Sequence, residues 1–180
     1  LAVPSQDIVL GCYYLTKEKH NAKGAGKVFG SFDDAMLALH AGEVELLTPI
    51  KVRVSGRFMD LTRHFNDQDV VHCEIQELDR KLVESTVGRV LFNMHLPEEI
   101  PFINGLLKKR GLQELVNYCF INFGNDLTVR MLDGLKDLGF LGPAHFTGNV
   151  RVAVPIPGMF MKTRVGVAKW LFPAPPRPPA

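Results

Sequence analysis

No acidic residue occurs in the last forty positions of this 180-residue chain. Long apolar runs are also missing: none reaches the ~18 residues that would mark a membrane-spanning helix. Cysteine is sparse. Cys12, Cys73 and Cys119 lie far apart, which excludes a C-x-x-C zinc site and offers no disulfide framework. The expectation is three buried core thiols, the usual state of free cysteine. The six histidines, at positions 20, 40, 64, 72, 95 and 145, form no H-x-x-x-H pair. The chain opens on Leu1 rather than Met, and no basic stretch followed by an apolar one precedes Pro4. That pattern predicts a cytosolic protein, or a piece of a longer one, without a secretory signal.

Hydrophobic residues make up 46% of the chain, enough for a core in one domain or two small ones. Charge is divided unevenly along it. Residues 1–140 carry 16 basic and 19 acidic residues, a net −3, whereas residues 141–180 carry 5 basic residues and no acid, a net +5. Those last forty residues also hold eight of the twelve prolines. The mild basicity therefore belongs to the tail and does not describe a nucleic-acid-binding surface on the folded part. A boundary near Phe140 follows, with a folded module over 1–140 and an irregular, Pro-rich, poorly ordered tail over 141–180. The segment PAPPRPP lacks the apolar content to offset its ordering entropy, so 171–180 are expected to be disordered.

Residues 6–15 read as a strand entering a short helix or turn, because the period alone does not decide. NAKGAGK (21–27) reads as a loop. Ser31 has the character of a helix N-cap, with Asp33 and Asp34 in the first turn and Gly42 as the stop. Three segments alternate as half-buried strands: IKVRV (50–54), VHCEI (71–75) and VLFNMHL (90–96). Residues 55–69 read as a surface hairpin or loop between them. After Pro97 and Pro101 the period becomes helical, through Leu112, Leu115, Val116, Cys119 and Phe120 to a stop at Gly124. Thr128 reads as the N-cap of a second helix ending at Gly139. Strands first and helices later predict an α+β fold with a small antiparallel sheet.

Candidate chemistry is thin. KGAGK (23–27) lacks the spacing of a phosphate-binding loop, and Val28 follows the lysine where Ser or Thr is required, so a plain turn is expected. Asp67 and Asp69 form a D-x-D pair that suits Mg²⁺ only if a third ligand converges, and none is in view. Gly88 before Arg89 suggests a close backbone approach. The arginine beside it fixes either a carboxylate or phosphate, or a structural ion pair, the second being the commoner role. The residues alone thus indicate an α+β domain without a self-contained active site.

The opening stretch adds more. PSQDIVLGCYYLT (4–16) resembles the P-S-Q-D-x-x-L-G-x-Y-x-x-T segment of the largest catalytic subunit, β′, of bacterial RNA polymerase. NAKGAGKVF, PIKVRV, STVGRVLFNMHLPEEIPFIN (85–104) and the GLLKKRGLQELVNYCF and LDGLKDLGF segments follow in that family's order. The resemblance is collinear over residues 1–140. It implies the pore region of β′, beside the channel through which nucleotides reach the active centre. Gln6, Asp7 and Arg89 then become channel-lining candidates, with Leu10, Tyr13 and Tyr14 anchoring the stretch to the core. For Gln6 and Asp7 the alternative is local capping of backbone groups.

By the same resemblance the whole subunit uses Mg²⁺, held by the aspartates of N-A-D-F-D-G-D, and zinc. Neither that motif nor the zinc cysteines occur in this sequence. The expectations are that this chain binds no cofactor itself and is not catalytic alone. Its implied partners are the β, α, ω and σ subunits, with DNA template, RNA and NTPs in the assembled enzyme, in the bacterial cytoplasm and away from any membrane. The family's alarmone-contacting positions correspond here to Asp126 and Asp137, so that site is not carried over. Beyond Phe140 the family pattern is lost. One explanation is a reading-frame shift, since GNVRVAV can be read out of frame as G-M-S-V-S-L. The alternatives to a working polymerase fragment are a stand-alone, non-enzymatic binding module, a non-functional fragment of a broken subunit gene, and an unrelated small α+β enzyme.

Overall fold

The computed structural model describes residues 6–63 and 73–146. Asp67, Asp69, His64, His72 and the tail segment 171–180 lie outside the described residues. In chain order the elements are α1 (Gln6–Thr16), β1 (Val28–Phe29), α2 (Phe32–His40), β2 (Pro49–Asp60), a 3₁₀ turn (Leu61–Arg63), β3 (Ile75–Thr86), α3 (Val87–Met94), β4 (Phe102–Asn104) and α4 (Lys109–Phe146). The fold is α+β as expected, but helices and strands interleave rather than segregate.

β2 is the spine of the sheet. β3 runs antiparallel along it, pairing Pro49 with Thr86 at one end and Met59 with Ile75 at the other. With that edge occupied, β1 and β4 share the opposite edge at its two ends. Both run parallel to β2, with Val28 opposite Lys51 and Phe58 opposite Phe102. The sheet is therefore mixed, not purely antiparallel. Residues 55–60, expected in a loop, continue the strand. Their regular alternation is broken where Asp79 and Arg80 together oppose Ser55. Such an extra residue sharpens twist, and Arg80 takes a positive φ of 46° there. Its N–H donates to the Ser55 hydroxyl at 3.2 Å.

Local signals were met at α2. The Ser31 hydroxyl accepts from the Asp34 N–H at 3.2 Å, and Asp33 and Asp34 sit at the positive end of the helix. Two other readings are corrected. Residues 6–16 form a helix, α1, rather than a strand start; Leu10 is 59% exposed, and Cys12 and Leu15 are the buried anchors. Residues 90–96, read as a strand, belong mainly to helix α3. Its polar residues Arg89 and Asn93 stand four apart, a helical spacing masked in the sequence by the alternation of Val90, Phe92, Met94 and Leu96.

α4 is two helical segments joined at Gly124, whose φ of 82° and ψ of −173° break the helix where the sequence suggested a stop. Thr128 is not an N-cap: it already lies within the second segment, and its hydroxyl donates back to the Gly124 carbonyl at 2.7 Å. The helix runs past Gly139 to Phe146. One hydrophobic core joins all layers, with α1 and α4 packed on each other and Phe92, Ile50, Met59, Leu112 and Met131 fully buried. Of the cysteines, Cys12 and Cys119 are buried, but Cys73 is only partly so. No helix among the described residues is long and apolar enough to cross a membrane.

Candidate functional site

A sequence of small local decisions brings Arg89 into the interior. Thr86 ends β3 and caps α3, its hydroxyl accepting from the Arg89 N–H at 3.2 Å. Two residues on, Gly88 lets α3 press against the backbone beside it: an added Cβ would lie 2.1 Å from the Leu15 carbonyl oxygen and 3.1 Å from that of Leu46. The Gly88 N–H donates to Leu46 O at 2.7 Å. The close backbone approach expected at this glycine is present, and it sets Arg89 beneath the C-terminal end of α1.

Arg89 is only 6% exposed. Its Nε donates to the Thr16 carbonyl at 3.0 Å, an Nη reaches Asn104 Oδ1 at 3.4 Å, and the other Nη lies 4.0 Å from Glu18 Oε2. Thr16 is the last residue of α1, so its carbonyl is among those a helix leaves unsatisfied, at the negative end of the dipole. A buried guanidinium is costly unless each face is answered by an acceptor, and here carbonyl, amide and carboxylate share that task. Lysine offers no such planar fork.

The network extends on both sides. The Thr16 hydroxyl accepts from the Leu107 N–H at 2.9 Å and donates to Cys12 O at 2.9 Å, tying α1 to the segment that leads into α4. The Asn104 amide donates to Glu84 O at 3.0 Å. On α3, the Asn93 side chain does a strand's work. Its Oδ1 accepts from the Ile103 N–H at 2.7 Å, and its Nδ2 donates to Ile103 O at 2.9 Å and to Arg89 O at 2.8 Å. This arrangement fixes β4 to α3 and orients backbone. Its polar groups bond to one another and to backbone, which makes it a positioning network.

Gln6 and Asp7 are elsewhere. Both are exposed in the first turn of α1. Arg89 grips the opposite end of the helix, roughly 15 Å away at 1.5 Å per residue. The structure does not bring the three candidates together, but links them through one rigid helix. Asp7 stands where the helix dipole favours a negative charge.

The remaining candidates resolve simply. NAKGAGK is a run of turns in which Gly24 and Gly26 hold positive φ and the N–H groups of Ala25, Gly26 and Lys27 bond to Ala22, Pro49 and Gly24 carbonyls. Lys27 pairs with Glu43 at 2.7 Å, which holds the Glu43 carboxyl below its ordinary range. His95 is the half-buried C-cap of α3, with Nδ1 2.9 Å from Leu91 O. Among the described residues no group of three His, Cys, Asp or Glu side chains converges as a metal site. Sequence reasoning missed Thr16, Asn93 and Asn104. The Thr86 cap ahead of Val87 was the available signal for α3.

Fold and network together define an α+β module organised around a buried polar node that joins two helices to a sheet. The chain belongs to the RNA polymerase Rpb1 domain 3 family, whose model matches residues 1–147. It is 49% identical over 143 residues to the DNA-directed RNA polymerase subunit beta′ of Koribacter versatilis, covering 78% of this chain and 10% of that one. It is 43% identical over 142 residues to the subunit beta′ of Thermodesulfovibrio yellowstonii, covering 78% and 9%. With that of Sulfurihydrogenibium sp. it shares 37% over 153 residues, covering 85% and 8%. The chain spans about a tenth of the length of these curated relatives.

Proposed function

We propose that this chain serves as the pore-region module of a bacterial DNA-directed RNA polymerase, non-catalytic by itself and acting in the assembled enzyme. The observation that carries this reading is the collinear match over residues 1–147, reaching 49% identity with a beta′ subunit. In the assembled enzyme its partners are the β, α, ω and σ subunits, with DNA, RNA and NTPs, in the cytoplasm. The Mg²⁺ needed for nucleotidyl transfer is supplied from outside this chain, which has no N-A-D-F-D-G-D motif.

Within that reading, α1 is a strut. Arg89 holds its C-terminal end from inside the module, and the N-terminal end presents Gln6 and Asp7 outward, toward the nucleotide channel. Arg89 thus acts as a positioning residue, through Thr16, and the polar rim is left to Gln6 and Asp7. Exposure of both residues supports this division, because a side chain meeting nucleotides must reach solvent.

Co-purification with the polymerase subunits tests the assignment of the chain. Gln6→Ala and Asp7→Ala in the assembled enzyme test the rim: slowed elongation with an unchanged melting temperature is expected. Unchanged kinetics with a lowered melting temperature would refute the rim and leave local capping as their role.

A further inference from the structure

Carboxylates answer most cations on the described surface: Lys19 pairs with Glu45, Lys27 with Glu43, Lys51 with Glu84, Arg110 with Glu114 and Arg130 with Glu99. Lys17, Lys108 and Lys109 differ. All three are exposed, and among the described residues their side chains form no ion pair or hydrogen bond. The fold brings them together. The Leu107 N–H donates to the Thr16 hydroxyl at 2.9 Å, and Lys17 and Lys108 are the next residues of the two segments so joined. With about 3.8 Å between consecutive Cα atoms, that bond holds the Lys17 and Lys108 backbones within about 15 Å of each other.

The cluster stands against local electrostatics. Lys109 opens α4, Lys108 precedes it and the first turn carries no acid, so cations face the positive end of a helix dipole. No acidic residue lies between Glu99 and Glu114 in the sequence. Glu18, beside Lys17, turns instead to His20 and Arg89, at 3.3 and 4.0 Å. Cations that cost the fold stability and have no partner within it point to a partner outside, and its charge is negative. Apolar anchors, which carry most of the energy of protein interfaces, are missing here. Leu15, Leu107 and Leu112 are buried, and the exposed large apolar residues nearest in sequence are Leu10 and Phe120. Flexible point charges without anchors suit a phosphate backbone, whose neutralisation releases counterions.

We propose that Lys17, Lys108 and Lys109 form a contact for the phosphate backbone of a nucleic-acid strand, where α1 meets the segment leading into α4. The net −3 of residues 1–140 conceals this local excess of positive charge. The contact goes beyond the rim reading, because it lies at the end of α1 opposite Gln6 and Asp7.

The test measures fluorescence anisotropy of labelled oligouridylate and oligodeoxythymidylate with the full chain over a salt series. The parent is compared with Lys17→Gln/Lys108→Gln/Lys109→Gln and with the same three lysines changed to arginine. Lys81→Gln/Lys136→Gln supplies an exposed control on β3 and the far segment of α4. The five basic residues of 141–180 are common to every variant, so differences report the rest of the chain. Both strands are expected to bind, since backbone contacts read no sequence. Loss of the three lysines is expected to make log affinity against log salt shallower by about 2, at about 0.7 per phosphate contact. Arginine is expected to preserve the slope, and the control to leave it unchanged. A triple glutamine variant with the parent's slope, or a control losing as much per lysine, would overturn the contact. Poly-glutamate displacing the strands as well as unlabelled RNA does at equal charge would also overturn it, in favour of an acidic polypeptide. Binding is read without the polymerase subunits, so failed co-purification leaves this result standing, and loss of the contact leaves the assembly reading intact.

Discussion

Replacing Gly88 by alanine adds one methyl group at the tightest backbone contact around the Arg89 node. The new Cβ would meet Leu15 O at 2.1 Å and Leu46 O at 3.1 Å. Both are backbone atoms, so no side chain can swing aside, and α3 and the end of α1 must separate by about 1 Å to reach van der Waals contact. That shift stretches the Gly88 N–H···O=C Leu46 bond and the Arg89 Nε–Thr16 bond, now 2.7 and 3.0 Å. Two weakened hydrogen bonds cost about 1 kcal/mol each. Overpacking adds about 1–3 kcal/mol, and the better helix propensity of alanine returns at most about 1 kcal/mol. The net expectation is a loss of about 2–4 kcal/mol, or roughly 5–15 °C in melting temperature for a chain of this size. Thermal and urea unfolding of the two proteins measures it. An alanine variant as stable as the parent would refute the close packing of α3 on α1 and with it the placement of Arg89.

Asn93→Ala removes the two bonds that fix β4 and strands the Ile103 N–H and carbonyl; a loss of about 2–4 kcal/mol in urea unfolding is expected, and under half a kcal/mol would contradict the pairing. At Gly124, φ and ψ fall in a region open essentially to glycine and outside the left-handed helical well, so Gly124→Ala and Gly124→Asn should cost about the same, 1–3 kcal/mol; rescue by Asn would show a different backbone there. Burial pushes the Cys12 thiol from near 9 up to about 12. The unfolded chain loses this proton near its ordinary value while the folded chain keeps it, so the contribution is complete below that value and is lost as pH rises toward about 12. Urea midpoints at about pH 8 and about pH 10 should therefore fall more steeply for the parent than for Cys12→Ala, and equal slopes would argue against a buried thiol.

Some of this protein was decided locally and could be read in one dimension. Ser31 followed by Asp33 and Asp34 marks a helix start because the cap and its donors are three residues apart. Ile50, Val52 and Val54 alternate because one face of β2 is buried. Gly124 interrupts a helical period, and the chain breaks there because the required dihedral angles suit only glycine. The ordered segments shared with the β′ family were legible for the same reason: each is a short local string.

Tertiary structure decided the rest. In α3, Val90, Phe92 and Met94 alternate as in a strand while Arg89 and Asn93 stand at helical spacing, and contact with α1, α2 and β3 selects the helix. The parallel placement of β1 and β4 on β2 depends on connections across the core, not on the strands' own residues. The polar node is the clearest case. Arg89 finds its acceptor 73 positions away at Thr16, and Thr16 finds its donor 91 positions away at Leu107. No local pattern encodes partners so distant. A buried guanidinium is stable only where folding delivers enough acceptors to it at once, and that convergence exists only in three dimensions.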